Sequence, residues 1–163
     1  RNVILGANYA IDYLATRPEW NGSNLVINGS SQGGMFSLYM AGLNTNVTAA
    51  IATVPSFCDL LNGHWSSLIM EPREASVAML KYYDTVNFAR FIRCPIVVGV
   101  GLLDSSSNPG GVYAAYNAIE APKKIIACPL QGHGQLTQEY RDYTERWLNG
   151  QLGISAPLPP CGQ

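Results

Sequence analysis

The stretch that most constrains this chain runs from Leu25 to Leu43, LVINGSSQGGMFSLYMAGL. Leu25, Val26, Ile27 and Asn28 read as a buried strand, and the residues from Gly33 onward suit a buried helix. Only Gly29-Ser30-Ser31-Gln32-Gly33 separates the two, so the chain must reverse from strand to helix within a few residues. That reversal forces the central serine into a strained backbone conformation and calls for neighbours without clashing side chains. Gly29 and Gly33 meet the need, and Gly34 lets the helix pack close to a sheet. The turn leaves the Ser31 hydroxyl exposed at the carboxyl end of its strand.

Gly-x-Ser-x-Gly between a strand and an apolar helix is the nucleophile-elbow pattern of the α/β-hydrolases. Ser31 is therefore the candidate nucleophile. The backbone N–H of Gln32, at the helix N-terminus, is the candidate oxyanion donor. Ser30 is the rival serine, but the motif register puts it in the neighbouring position. A Gly/Ser turn that merely opens a helix is the structural alternative; the apolar elements on both sides weigh against it.

The rest of the chain alternates in the same way. Val3, Ala7, Ala10, Ile11 and Leu14 recur at helical spacing between Val3 and Thr16, and Pro18 stops that helix. After the elbow, Met35, Phe36, Leu38, Tyr39, Met40 and Leu43 leave almost no polar face, as in a helix buried on most sides, with Gly42 and Asn44 as its stop. Val47 to Val54 reads as a second buried strand closed by Pro55, and Cys94 to Gly101 as a third. Between them, Ser56 to Ile92 is irregular, with a short helix expected near Glu74 to Tyr83. It reads as an excursion over the sheet's carboxyl edge. A helix follows over Val112 to Glu120, then a strand over Lys124 to Cys128 and an amphipathic helix over Leu136 to Leu148 with Tyr140, Tyr143, Trp147 and Leu148 on one side. Residues 1–150 thus form one α/β unit with a mostly parallel sheet and helices on both faces, and 151–163 an extended tail. Ligands of such sheets bind at the carboxyl ends of the strands, where the elbow points.

A serine hydroxyl needs a general base within hydrogen-bond reach, and the base needs a third group to hold it. His64 and His133 are the only histidines. His133 follows the last strand, in Gln131-Gly132-His133-Gly134, and fits the Ser, Asp/Glu, His chain order. His64, beside Trp65 in the irregular excursion, reads as a pocket or packing residue. Among Asp59, Glu71, Glu74, Asp84, Asp104 and Glu120, only Asp104 directly follows a buried strand. Its alternative role, an Asx-type turn opening Asp104-Ser105-Ser106-Ser107-Asn108-Pro109, is compatible with orienting a histidine.

Composition narrows the partners. With 10 Lys+Arg against 11 Asp+Glu and no basic run, neither nucleic acid nor an anionic membrane is expected as the main partner. No apolar run reaches membrane-spanning length. Cys58, Cys94, Cys128 and Cys161 contain no C-x-x-C pair, so no metal cluster is expected, and no cofactor is indicated. Cys94 precedes one expected strand and Cys128 ends the next, which places them at opposite edges of a parallel sheet, too far apart to bridge. Asn21, Asn46 and Asn28 head glycosylation-like triplets, which arise often by chance and leave the compartment unassigned; Asn28 is expected to be buried. Arg1 rather than Met at the start, with no signal-like segment before it, suggests a chain that begins partway through something larger or after processing.

With these residues in view the chain resembles the acetyl xylan esterase / cephalosporin-C deacetylase family. Three blocks carry the likeness: Gly29-Ser30-Ser31-Gln32-Gly33-Gly34, the stretch GLLDSSSNPGGVYAAYNAIEAPKKI from Gly101 to Ile125, and Gln131-Gly132-His133. The resemblance runs from the first helix to about Leu148. It implies Ser31 as nucleophile, Asp104 as orienting acid, His133 as base, small acetylated sugars or oligosaccharides as substrates, and a homo-oligomer. The chain has Asn108-Pro109 where the family usually has two prolines, and Gly134 where it often has an acidic residue; both bear on loop shape and acyl selectivity. The family's amino-terminal half, with further strands and a second oxyanion donor, is expected before Arg1, which would leave this piece alone weakly active or inactive. A prolyl-oligopeptidase-like peptidase and a noncatalytic carbohydrate-binding module are the alternative readings of the same fold.

Overall fold

A computed structural model describes residues 2–62 and 74–154. Four strands, β1 (Val26–Ser30), β2 (Ala49–Thr53), β3 (Ile96–Gly101) and β4 (Lys123–Cys128), form one parallel sheet in the order β1-β2-β3-β4. The helices described are α1 (Asn2–Ala15), α2 (Gln32–Leu43), α3 (Glu74–Tyr83), α4 (Thr85–Ala89), α5 (Pro109–Ala118) and α6 (Gln138–Leu152). None of them is long and apolar enough to cross a membrane. The register sets Ser30 opposite Thr53, Thr53 opposite Gly99, and Gly101 opposite Cys128, so all four strands end on one rim.

Strand residues alternate between two apolar layers, as the two-residue period of a strand requires. Ala50, Ala52, Ile96, Val98 and Val100 pack into a core with Leu38, Tyr39 and Met40 of α2, Ile11 of α1 and Val112 and Ala115 of α5. Val97 and Cys128 point the other way, into a smaller cluster with Val54, Leu136 and Tyr140, against which Tyr143 and Trp147 of α6 lie. Both faces of β3 are covered, and all six of its residues are buried. Its apolar sequence reflects that burial.

The strand-to-helix turn is steric in origin. A Cβ on Gly29 would lie 2.3 Å from the Gly33 carbonyl oxygen, and one on Gly34 would lie 2.7 Å from the Thr53 carbonyl oxygen. Gly33 differs from expectation, because a Cβ there would meet nothing within 4 Å. What the turn requires at Gly33 is its backbone, which occupies the space that a Gly29 side chain would need.

Several other expectations are corrected. Helix α1 faces the core with Ile4, Ala7 and Ile11, while Val3 and Leu14 are 67% and 52% exposed. The apolar residues lie on two faces of this helix, and only one meets the sheet's core layer. Gly42 lies inside α2, where a Cβ would sit 2.5 Å from the Phe88 carbonyl oxygen, so it marks close packing of α4; the cap is Asn44. Leu43, at the last turn, is exposed. Gly150 and Gln151 continue α6 to Leu152, and Gly153 ends it at φ 67; residues 155–163 of the expected tail lie outside the described residues. Strand β1 is half-buried, and Asn28 is exposed. Within the described chain β1 pairs only with β2, and α6 covers the sheet face from β2 to β4 but leaves Asn28 and Ser30 bare.

Gly29→Ala is expected to lower folding stability by about 1–3 kcal/mol through forced backbone displacement. Gly33→Ala should leave stability unchanged or raise it by up to about 1 kcal/mol, as for a helical glycine. Urea-unfolding midpoints of the two variants provide the comparison, and equal midpoints would contradict the steric account of the turn.

Candidate active site

Ser31 sits between β1 and α2 at φ 58 and ψ −115, a conformation that non-glycine residues rarely adopt. Three backbone hydrogen bonds hold it there. Its N–H donates to the Thr53 carbonyl (2.9 Å), and its carbonyl accepts from Met35 N–H (3.0 Å) and Ser56 N–H (3.1 Å). Gln32 opens α2, so its N–H belongs to the first-turn amides that lack an intrahelical acceptor.

Asp104 lies three residues past the end of β3, and its side chain is fully buried. Its Oδ1 accepts from the N–H groups of Ser106 and Ser107, both at 2.8 Å. The Asx-type turn expected there does form. It leaves Oδ2 free to meet His133 Nδ1 at 2.9 Å. A carboxylate only accepts, so Nδ1 carries the proton and Nε2 is left as an acceptor. His133 Nε2 lies 2.8 Å from Ser31 Oγ, placed to accept the serine proton.

The close approach of the His133 loop depends on Gly101. A Cβ on that residue would lie 2.6 Å from the Gln131 carbonyl oxygen and 2.7 Å from that of Gly132. Two bonds, Leu102 N–H to Cys128 carbonyl (3.1 Å) and Leu103 N–H to Gln131 carbonyl (2.9 Å), tie the acid and base loops together. The imidazole is about one-third exposed, with side-chain exposure of 30%, so the ring reaches solvent while Asp104 behind it is buried.

The other candidates lie elsewhere. Ser30 ends β1 on the exposed sheet face, beside a groove of about 500 Å³ that Asn28, Thr53, Tyr140 and Arg141 also line. Asp84 caps α4 and accepts from the Asp59 and Leu60 N–H groups, Asp59 accepts from the Asn62 amide, and Glu120 is exposed. His64 and Glu71 lie outside the described residues, as does the side chain of Glu74. Among the described residues, no group of His, Cys, Asp and Glu gathers as metal ligands. Two buried hydroxyls went unnoticed in the sequence. Ser56 Oγ lies 3.3 Å from Ser31 Oγ and 3.4 Å from Ser107 Oγ. Their signal was positional: Ser56 follows β2 at the same rim from which the elbow, acid and base loops leave.

The profile of the acetyl xylan esterase (AXE1) family matches residues 1–63 and 68–151. This chain belongs to that family. It is 35% identical over 162 residues to an acetyl esterase, Axe7A, of Xylanibacter ruminicola, covering 93% of this chain and 36% of that protein. Among solved structures, an acetyl xylan esterase from Paenibacillus sp. R4 superposes with a TM-score of 0.80 at 24% identity, over 91% of this chain and 52% of that one. Acetyl xylan esterase 1 from Thermoanaerobacterium sp. JW/SL YS485 gives 0.79 at 23%, over 94% and 53%. The fold is that of the α/β-hydrolases, and the chain spans about half the length of these solved relatives.

Buried acids in the two core layers set an alkaline limit. Burial pushes the Cys94 thiol from its ordinary 9.0 to about 11 and the Tyr140 phenol from 10.0 to about 12, and it raises Cys58 and Tyr39 as well. These groups stay neutral when folded but ionise freely when unfolded, so above their ordinary values the unfolded chain binds fewer protons. Stability is therefore expected to be full below about pH 9 and to fall as pH rises toward 11 and beyond, read as a declining urea midpoint. In Cys94→Ala the decline should be shallower.

Proposed function

We propose that these residues form the catalytic centre of a serine esterase that removes acetyl groups from sugars or oligosaccharides through an acyl-enzyme. The observation that carries this reading is the unbroken hydrogen-bond run from Asp104 through His133 to Ser31, drawn from three loops on one sheet rim. His133 takes the Ser31 proton as Oγ attacks the acetyl carbonyl, and Asp104 holds the imidazole in the required tautomer and stabilises the imidazolium. The Gln32 N–H donates to the oxyanion as it forms. The protonated His133 then gives its proton to the sugar oxygen as its bond to the acetyl carbon breaks, and the sugar leaves as an alcohol. In the second half His133 activates water, which attacks the acetyl group on Ser31; acetate leaves and the serine recovers its proton. No step calls for a cofactor.

Sugar acetates are the proposed substrates because the relatives named above are acetyl and acetyl xylan esterases. A noncatalytic carbohydrate-binding module is a weaker reading, since mere binding gives no reason for the aligned Ser31, His133 and Asp104. A peptidase shares the same machinery but lacks support from the family match.

We further propose that the esterase needs a preceding part of the same polypeptide, set along the outer edge of β1. The half-buried strand, its edge unpaired among the described residues, and the bare Asn28 and Ser30 favour such a neighbour, as does the half-length match to solved relatives. A second oxyanion donor would come from that part. Its absence should reduce turnover by about 10²–10³-fold.

In full-length protein, Ser31→Ala and His133→Ala are each expected to reduce acetate release from acetylated xylo-oligosaccharides by about 10⁴-fold or more, and Asp104→Asn by about 10⁴-fold. A fluorophosphonate probe should label the parent protein but not Ser31→Ala. Equal labelling of both would remove Ser31 from the mechanism, and faster cleavage of a peptide substrate than of the acetyl ester would favour the peptidase.

A further inference from the structure

Each parallel strand is followed at the common rim by a polar residue of the site network: Ser31 after β1, Ser56 after β2, Asp104 after β3 and His133 after β4. Three of these are accounted for above. Ser56 is not, although its hydroxyl lies 3.3 Å from that of Ser31. We propose that Ser56 is a positioning residue for Ser31, donating its hydroxyl hydrogen to Ser31 Oγ as charge builds there; this rests on the esterase reading given above.

Proton bookkeeping sets the direction of that bond. The Ser107 hydroxyl donates to the Val54 carbonyl at 2.8 Å, so its oxygen can only accept from Ser56. The Ser31 hydroxyl points its hydrogen at His133 Nε2, so its oxygen likewise can only accept from Ser56. Ser56 thus has one hydrogen and two acceptors, Ser31 Oγ at 3.3 Å and Ser107 Oγ at 3.4 Å. Both distances are long for a hydroxyl pair, so in the resting site neither acceptor holds the hydrogen firmly.

The Ser56 main chain is fixed while its hydroxyl can turn. Its N–H donates to the Ser31 carbonyl (3.1 Å), and its own carbonyl accepts from Thr85 Oγ1 (3.1 Å). Ser56 and Ser107 are only 7% and 3% exposed, so water does not readily compete for either hydroxyl. When His133 withdraws the Ser31 proton, negative charge grows on Oγ and makes it the better acceptor of the two. The Ser56 hydrogen, shared loosely at rest, then settles on Ser31. Ser56 keeps its proton throughout; it holds the attacking oxygen in line during acylation and again when that oxygen leaves the acetyl carbon. The network also closes on itself, because Ser107 N–H donates to the same Asp104 carboxylate that orients His133.

The test is steady-state hydrolysis of an acetylated xylo-oligosaccharide by full-length protein carrying Ser56→Ala or Ser56→Thr. Ser56→Ala should lower kcat by about three- to tenfold, the value of one ordinary hydrogen bond, with KM unchanged. Its kcat/KM profile should drop in plateau while the acid limb stays at the parent pH, because no contact to His133 is altered. The thermal midpoint should hardly move, and Ser56→Thr, which keeps a hydroxyl, should recover most of the rate. Parent-like kcat in Ser56→Ala, a loss shared equally by Ser56→Thr, or a rate loss that merely follows a fall in thermal midpoint would each overturn the assignment. If Ser31→Ala is inactive while Ser56→Ala is silent, only this inference falls; full activity in Ser31→Ala overturns both it and the esterase mechanism.

Discussion

A single backbone conformation underlies the site. At φ 58 and ψ −115, Ser31 occupies a region whose cost for a residue with a side chain is about 1–3 kcal/mol. The surrounding structure more than offsets it: the amide of Ser31 is bonded to Thr53, its carbonyl to Met35 and Ser56, and Gly29 admits the Gly33 backbone where a side chain would clash. Relaxing the turn would break bonds on both sides of the serine at once. The hydroxyl is therefore held up at the rim by the same contacts that dock α2 on the sheet.

The parallel sheet explains how residues 102 positions apart come to share a proton. Its strands run the same way, so every connection after a carboxyl end starts on one rim, and the segments that leave the four strands converge there. Convergence alone does not orient side chains. Orientation comes from hydrogen bonds between and within the loops: Gln131 and Cys128 carbonyls anchor the acid loop, and within it the Ser106 and Ser107 amides turn the Asp104 carboxylate toward the ring. The turn-forming role of Asp104 and its contact with His133 use different oxygens, so the two functions do not compete.

The two sheet layers are unequal, and the imbalance has a structural meaning. On one side α1, α2, α4 and α5 build a continuous core; on the other, among the described residues, α6 and Leu136 before it cover the strands, and β1 is left with bare polar residues and an edge that no described strand pairs. The exposed Val3, Tyr9 and Tyr13 of α1 add to the apolar surface left uncovered. A fold of this class buries both faces of its parallel strands, because the unpaired groups of an edge and the apolar residues beside it are poorly served by water. The chain spans about half the length of its solved relatives, and the preceding part proposed above would lie along these surfaces.

Much of this was readable in one dimension. The strand and helix periods, the glycines of the elbow, the position of Asp104 after β3 and of His133 after β4 all follow from local sequence, because backbone sterics and apolar periodicity act over a few residues. Which face of α1 turns inward was not readable, since Val3 and Leu14 are as apolar as Ile4 and Ile11 and only the position of α2 selects between them. Nor was the burial of β1, whose apolar start is that of a covered strand although Asn28 lies open. Ser56 could not be singled out either, because a serine after a strand is ordinary until its distance to another hydroxyl is known. By itself the sequence determined the elements, their order and the three residue types of the site; only tertiary structure decided which surfaces are covered and which hydroxyls meet, because both depend on contacts between segments far apart along the chain.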